Sequence, residues 1–244
     1  EGFGPLLPGC ESVDMNDKGA LINSITSKTA AVIIEPIQGE GGIKIVPSKT
    51  IHLLRDICDK LGVLLIFDEV QCGVGRSGKL FAHEWVGIVP DIMTIAKGIG
   101  GGMPLGACIA TKRAAEGMTI GSHGTTYGGN PLACAVGCEV LNQVLSDKFL
   151  PNVIKISNYF SQKLKAIVDS YPSIFQEVRG TGLMLGLKMN IKNDLFVETA
   201  FNQGILTVPA SENVVRILPP LNITKSEVDL AIGLLIKTAE SIRL

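Results

Sequence analysis

Short runs of branched apolar residues alternate with longer stretches in which apolar positions recur every three or four residues, the pattern of strands separated by helices. Ala30-Ala-Val-Ile-Ile-Glu35 is the first such run and suits a buried strand. From Pro47 and Ser48 to about Leu61, the side chains of Ile51, Leu54, Ile57, Cys58 and Leu61 fall on one helical face, and Gly62 follows as a stop. Further strands are predicted over 63–67, 92–96 and 105–110. Residues 97–104 are too short a link for a parallel crossover, so the last of these strands is expected to run antiparallel in an otherwise parallel sheet.

The second half has a different rhythm. A helix is predicted to start at Asn130-Pro131, with asparagine as cap and proline in the first position, and Ala133, Ala135 and Gly137 leave room for close packing. After about Asp147 the pattern predicts a helix near 152–169, a strand near 183–189, a helix near 194–203, and strands near 205–208 and 214–218. Thr224-Lys-Ser-Glu227 is a capping box that opens a final amphipathic helix. The chain therefore reads as α/β, with 1–147 as part of a large domain built on a mostly parallel sheet and 148–244 as a small αβ domain. It carries no internal repeat and no low-complexity tract.

Two strand ends carry candidate chemistry. Asp91-Ile-Met-Thr-Ile-Ala96 runs into Lys97 and then Gly98-Ile-Gly-Gly-Gly102, and Val63-Leu-Leu-Ile-Phe67 runs into Asp68-Glu-Val-Gln71. Parallel strands offer ligands their carboxyl ends, which puts Asp68 and Lys97 on one rim. A lysine ending a buried strand is expected to be poorly solvated, and desolvation favours its neutral, nucleophilic amine. A lysine that condenses with an aldehyde and a carboxylate that pairs with a protonated ring nitrogen are what pyridoxal phosphate requires. The alternative is a surface lysine following a core strand.

Composition narrows the partners. The 22 basic and 23 acidic residues nearly cancel, which leaves no electrostatic footprint for nucleic acid or an anionic membrane. No apolar stretch reaches the ~18 residues of a spanning helix, and no signal peptide is visible. Cys10, Cys58, Cys72, Cys108, Cys134 and Cys138 lie in apolar or glycine-rich surroundings without a CxxC pair. They are expected to be buried reduced thiols, which implies a reducing compartment, with the cytoplasm as the expected location. Cys134 and Cys138 stand one helical turn apart, but no neighbouring histidine or cysteine completes a metal set, so no metal is expected.

Gly73-Val-Gly-Arg-Ser-Gly-Lys79 follows a strand and matches most of a phosphate-binding loop, but Leu80 stands where the magnesium-binding hydroxyl belongs. Arg216 lies in a branched apolar run, where a guanidinium is costly unless an anion satisfies it, and its planar fork suits a carboxylate. His52, His83 and His123 form no catalytic constellation; His83 is expected on a helix surface or in packing.

Glu35-Pro-Ile-Gln-Gly-Glu-Gly-Gly42, Asp68-Glu-Val-Gln71, Ile95-Ala-Lys-Gly98, Gly124-Thr-Thr-Tyr-Gly-Gly-Asn-Pro131 and Val214-Val-Arg-Ile-Leu-Pro-Pro-Leu221 occur in an order that resembles the class III pyridoxal phosphate aminotransferases over the whole chain. The resemblance implies the carboxy-terminal part of a fold-type I transferase, with Lys97 and Asp68 as catalytic residues. It implies that Val70 packs on the cofactor ring, that the Gln71 amide meets the ring's phenolic oxygen, and that Thr126 reaches the phosphate of the neighbouring subunit in a homodimer. Thr125 is similarly placed to touch substrate. Glu40 is expected to pair with Arg216 when no substrate carboxylate is bound; a permanent salt bridge is the alternative.

Glu1-Gly-Phe-Gly-Pro-Leu-Leu-Pro-Gly9 and the arginine segment look most like members that use N-acetylornithine, so the resemblance implies amino transfer from that donor to 2-oxoglutarate in arginine biosynthesis. Ornithine, 4-aminobutyrate or succinyldiaminopimelate transamination, or aminomutase chemistry, stands as the alternative, with a non-catalytic binding homologue behind them. An amino-terminal portion carrying the phosphate loop is expected upstream of Glu1, and the 244 residues alone are expected to be inactive.

Overall fold

β1 (Ala31–Ile34), β4 (Leu64–Asp68), β5 (Ile92–Ile95) and β6 (Ala107–Ala110) form one sheet in the order β1-β4-β5-β6. This is seen in a computed structural model that describes residues 4–5 and 7–242. The first three strands are parallel and β6 is antiparallel to β5, as the short link predicts. Between β1 and β4 come a two-stranded hairpin, β2 (Ile37–Gln38) with β3 (Lys44–Ile45), and helix α2 (Ser48–Leu61); α1 (Lys18–Ser24) precedes β1. Gly62 closes α2 in a left-handed conformation, φ 71°, and returns its N–H to the Cys58 carbonyl. Leu54 and Cys58 of α2 pack with Val63, Leu65 and Phe67 to make the core beside this sheet.

After β6 come the short α3 (Lys112–Ala115) and then α4 (Pro131–Val144), α5 (Phe149–Ser170), β7 (Phe175–Thr181), β8 (Met184–Met189), α6 (Asn193–Asn202), β9 (Val208–Ala210), β10 (Val214–Ile217) and α7 (Lys225–Ser241). The Asn130 side chain accepts the Ala133 N–H at 3.0 Å to cap α4, and Thr224 with Glu227 forms the expected capping box on α7. The second sheet is wholly antiparallel, in the order β7-β8-β10-β9. Phe160, Leu164, Phe196 and Leu235 from α5, α6 and α7 bury its strands Leu185, Leu187 and Val215.

Three expectations move. Helix α5 begins at Phe149, ahead of the predicted 152, because Pro151 falls in its first turn, where an N–H has no intrahelical partner. The strand predicted at 205–208 lies at 208–210 and contains Pro209, tolerated because β9 is an edge strand paired only with β10. β7 has no counterpart in the prediction: a register shift between Phe175 and Glu177 breaks its alternation, and Glu177 and Arg179 make it read as polar.

The cysteine expectation is corrected. Cys58 and Cys72 are buried, but Cys10, Cys108, Cys134 and Cys138 are exposed, the last three because β6 and the outer side of α4 are uncovered. Burial raises the Cys58 thiol to about 11. Burial, then the neighbouring Glu69 charge, pushes Cys72 up as well. No helix among the described residues is long and apolar enough to cross a membrane.

Candidate active site

The sheet register builds the site. Ile34 pairs with Phe67 and Asp68 with Thr94, so the chain leaves β1, β4 and β5 side by side through Glu35, Asp68 and, three residues past Thr94, Lys97. Asp68 is half-buried and its Oδ1 accepts the Val70 N–H at 3.0 Å. Among the described residues its other oxygen accepts no hydrogen bond, and Lys97 makes neither a hydrogen bond nor an ion pair.

Lys97 departs from expectation in one respect. Its side chain is exposed, so desolvation does not account for its chemistry in this chain. Its backbone instead adopts a left-handed φ of 49°, a strained conformation for a residue with a Cβ, at the start of a 3-10 turn, Lys97–Gly100. Ile95 and Ile99 on either side are buried with Val74, Met93 and Val144, and they fix the turn from beneath.

The loop after Gln71 is not a nucleotide cradle. Val74 takes φ 52° and is buried, and the loop ends in a 3-10 turn, Ala82–Trp85, rather than an α-helix. Lys79 Nζ lies 4.8 Å from the centre of the Trp85 ring. Arg76, whose pKa burial lowers to about 10, instead donates to the carbonyls of Leu183, at 3.1 Å, and Pro219, at 2.5 Å. The loop therefore pins the first sheet's rim to the second sheet.

Glu40, Gln71 and Arg216, remote in sequence, meet in one cluster. Arg216 is 6% exposed; its Nη1 donates to Glu40 Oε1 at 2.5 Å and to Gln71 Oε1 at 3.2 Å, and its Nη2 donates to the Pro209 carbonyl at 3.3 Å. Its Nε is buried without a partner. Glu40 is largely exposed and its backbone carbonyl accepts the Ser211 N–H at 3.0 Å. The arginine is thus held by an exposed carboxylate, with a donor nitrogen left over among the described residues. Val70 is half-buried between Asp68 and Gln71 in the chain.

Thr125 and Thr126 are not brought to this cluster within the chain. Both are exposed, and the Thr125 hydroxyl accepts the Gly128 N–H at 3.1 Å. Met118, Ile120 and Tyr127 around them are also exposed.

Sequence reasoning missed Glu69. It is fully buried: Oε2 accepts the Ala82 N–H at 2.6 Å, and Oε1 accepts the His83 N–H at 2.9 Å. The signal was the alternation of Leu65, Phe67 and Glu69, which continues the inward face of β4 beyond the strand.

Strand-end lysine and aspartate on a parallel rim, with Gln71 of that rim bonded to an arginine from a second sheet, agree with a match of residues 10–239 to the family Aminotransferase class-III. The chain belongs to that family. The acetylornithine aminotransferase of Mesorhizobium japonicum is 54% identical over 233 residues, 96% of this chain and 58% of the relative. Among solved structures, the ornithine aminotransferase of Toxoplasma gondii is similar with a TM-score of 0.91 at 33% identity, over 98% of this chain and 58% of that one. The N-acetylornithine aminotransferase of Stenotrophomonas maltophilia is similar with a TM-score of 0.86 at 37% identity, over 95% and 62%. The chain spans less than two thirds of the length of these relatives.

Proposed function

We propose that this chain supplies the lysine, aspartate and arginine of a pyridoxal phosphate-dependent aminotransferase that moves the amino group of N-acetylornithine to 2-oxoglutarate, a step of arginine biosynthesis. The observation that carries the reading is the placement of Asp68 and Lys97 at the ends of neighbouring parallel strands. The donor set fits the cofactor: a carboxylate oxygen and an amine, both without partners among the described residues, suit a ring N–H and an aldehyde. When bound, pyridoxal phosphate supplies that aldehyde and a protonated ring able to accept the electron pair released at the substrate carbon.

Lys97 would hold the cofactor through its aldehyde and, freed by the donor amine, would be the base that moves a proton at the substrate carbon. Asp68 would hold the ring-nitrogen proton in place and so stabilise charge as it develops. Val70 would pack against the ring, Gln71 would donate its amide to the phenolic oxygen, and Thr125 would lie by the substrate. Arg216 would bind a carboxylate of 2-oxoglutarate after Glu40 leaves it, and Glu40 would return when the donor presents a neutral end. The exposed apolar residues around Thr126 support a homodimer in which this threonine meets the partner's cofactor phosphate. Residues 1–147 belong to the large domain and 148–244 to the small one, and the protein works in the cytoplasm.

The test is direct. The complete protein, loaded with cofactor, should form one glutamate per N-acetylornithine consumed. Product formation without glutamate would replace transamination with aminomutase chemistry, and no product with any ω-amino donor would overturn both.

A further inference from the structure

Glu35 has no role in the mechanism above, yet the fold sets it inside the site. It follows Ile34, the partner of Phe67, and so stands level with Asp68 at the adjacent strand end. Its Oε2 accepts the Gly39 N–H at 3.1 Å and closes a turn at the backbone from which Glu40 projects. Gly39 abuts Gln71 so closely that a Cβ there would lie 2.2 Å from Gln71 Oε1. Glu40 and Gln71 are the two side chains that share Arg216 Nη1. One carboxylate therefore fixes the backbone between both side-chain acceptors of the arginine.

The surroundings of Glu35 are charged on every side. Asp68 faces it from β4, Lys97 from the turn after β5 and Glu40 from its own turn, with the Cys72 thiol nearby. Burial raises the Glu35 carboxyl above its ordinary value, the Gly39 N–H lowers it, Asp68 raises it, Lys97 lowers it and Glu40 raises it, with a net upward shift.

We propose that Glu35 is a positioning residue whose carboxylate pins the Gly39 turn, and so sets the geometry in which Glu40 and Gln71 hold Arg216. What the pin does for substrate exchange rests on the aminotransferase reading; the pin itself is measurable without cofactor.

Amide hydrogen exchange at Gly39 reads it. Glu35→Ala should speed Gly39 exchange by about tenfold, the loss of one hydrogen bond, while Glu35→Gln, whose amide oxygen still accepts, should stay within about threefold of the parent. Glu35→Gln keeps the shape and an acceptor oxygen, so its Gly39 exchange remains readable where Glu35→Ala does not fold. With cofactor and 2-oxoglutarate, Glu35→Ala should raise KM more than it lowers kcat, and Glu35→Gln should restore KM.

Unchanged Gly39 exchange in Glu35→Ala, or Glu35→Gln as damaging as Glu35→Ala, would each overturn the proposal. Absence of amino transfer by the parent protein would overturn the aminotransferase reading instead, and the exchange measurement would still decide the pin.

Discussion

Glu69 Oε1 lies 2.8 Å from Nδ1 of His83, and the carboxylate is wholly shielded from solvent. The pair joins the end of β4 to the 3-10 turn at Ala82–Trp85, so the residues flanking Glu69, Asp68 and Val70, leave the strand from a fixed point. His83 is thereby a packing residue, one of the two expectations for it.

Glu69→Ala removes the acceptor of two backbone N–H groups and a ring nitrogen in a site closed to water. The expected loss is about 3 kcal/mol or more of stability, since buried donors left unpaired lose their bonds without regaining solvent. Urea unfolding measures it. A loss below about 1 kcal/mol would mean that water replaces the carboxylate.

Legibility in the sequence followed physical simplicity. β4 and β5 were readable because each is a continuous apolar run ending at a charge, and β6 acquired its direction from the length of one link. α7 announced itself through its cap. By contrast, β2 and β3 have two residues each, too few for any period, and the bulge in β7 erased its alternation. Apolar neighbours did not predict burial for Cys108, because a strand on a bare sheet edge buries neither face. For Lys97, adjacency to a buried run did not fix which way the side chain leaves the strand. The meeting of Glu40 with Arg216 was legible only through family resemblance, since 176 residues separate them.

Acid should weaken the fold partly through Asp91. Burial raises its pKa, but the Leu65 N–H, Arg113 and Arg55 together outweigh that and leave it below the ordinary 3.8. A depressed folded-state pKa stabilises above the unfolded value and loses that contribution as pH falls through the folded value. The stability gap between the parent and Asp91→Asn should therefore be constant near neutral pH, at about 2 kcal/mol, and shrink below pH 3.8. Unfolding curves at several pH values check this; a gap that persists in acid would assign it to packing rather than charge.

Borohydride reduction of the complete protein with pyridoxal phosphate should leave the pyridoxyl group on Lys97, found by peptide mapping. Asp68→Asn should still accept the cofactor but slow each half-reaction by a factor on the order of a hundred or more, because the ring proton loses its counter-charge. Labelling of another lysine with Lys97 untouched would remove this residue from the mechanism. An unchanged half-reaction rate would make Asp68 structural.

Variants of Arg216 are expected to separate the two proposed half-reactions. The Arg216 guanidinium is buried with one nitrogen unpartnered among the described residues, and Glu40, the carboxylate it holds, is 73% exposed. A substrate carboxylate can therefore take the place of Glu40 without leaving either charge stranded. Arg216→Ala should cut kcat/KM with 2-oxoglutarate by about a hundredfold or more, the worth of a buried charge-assisted pair, and affect N-acetylornithine less. Glu40→Gln should act in the opposite sense on acceptor binding, lowering the apparent Kd for 2-oxoglutarate because the competing carboxylate is gone. Equal losses in both half-reactions for Arg216→Ala, with no gain in Glu40→Gln, would identify the pair as a permanent structural bridge.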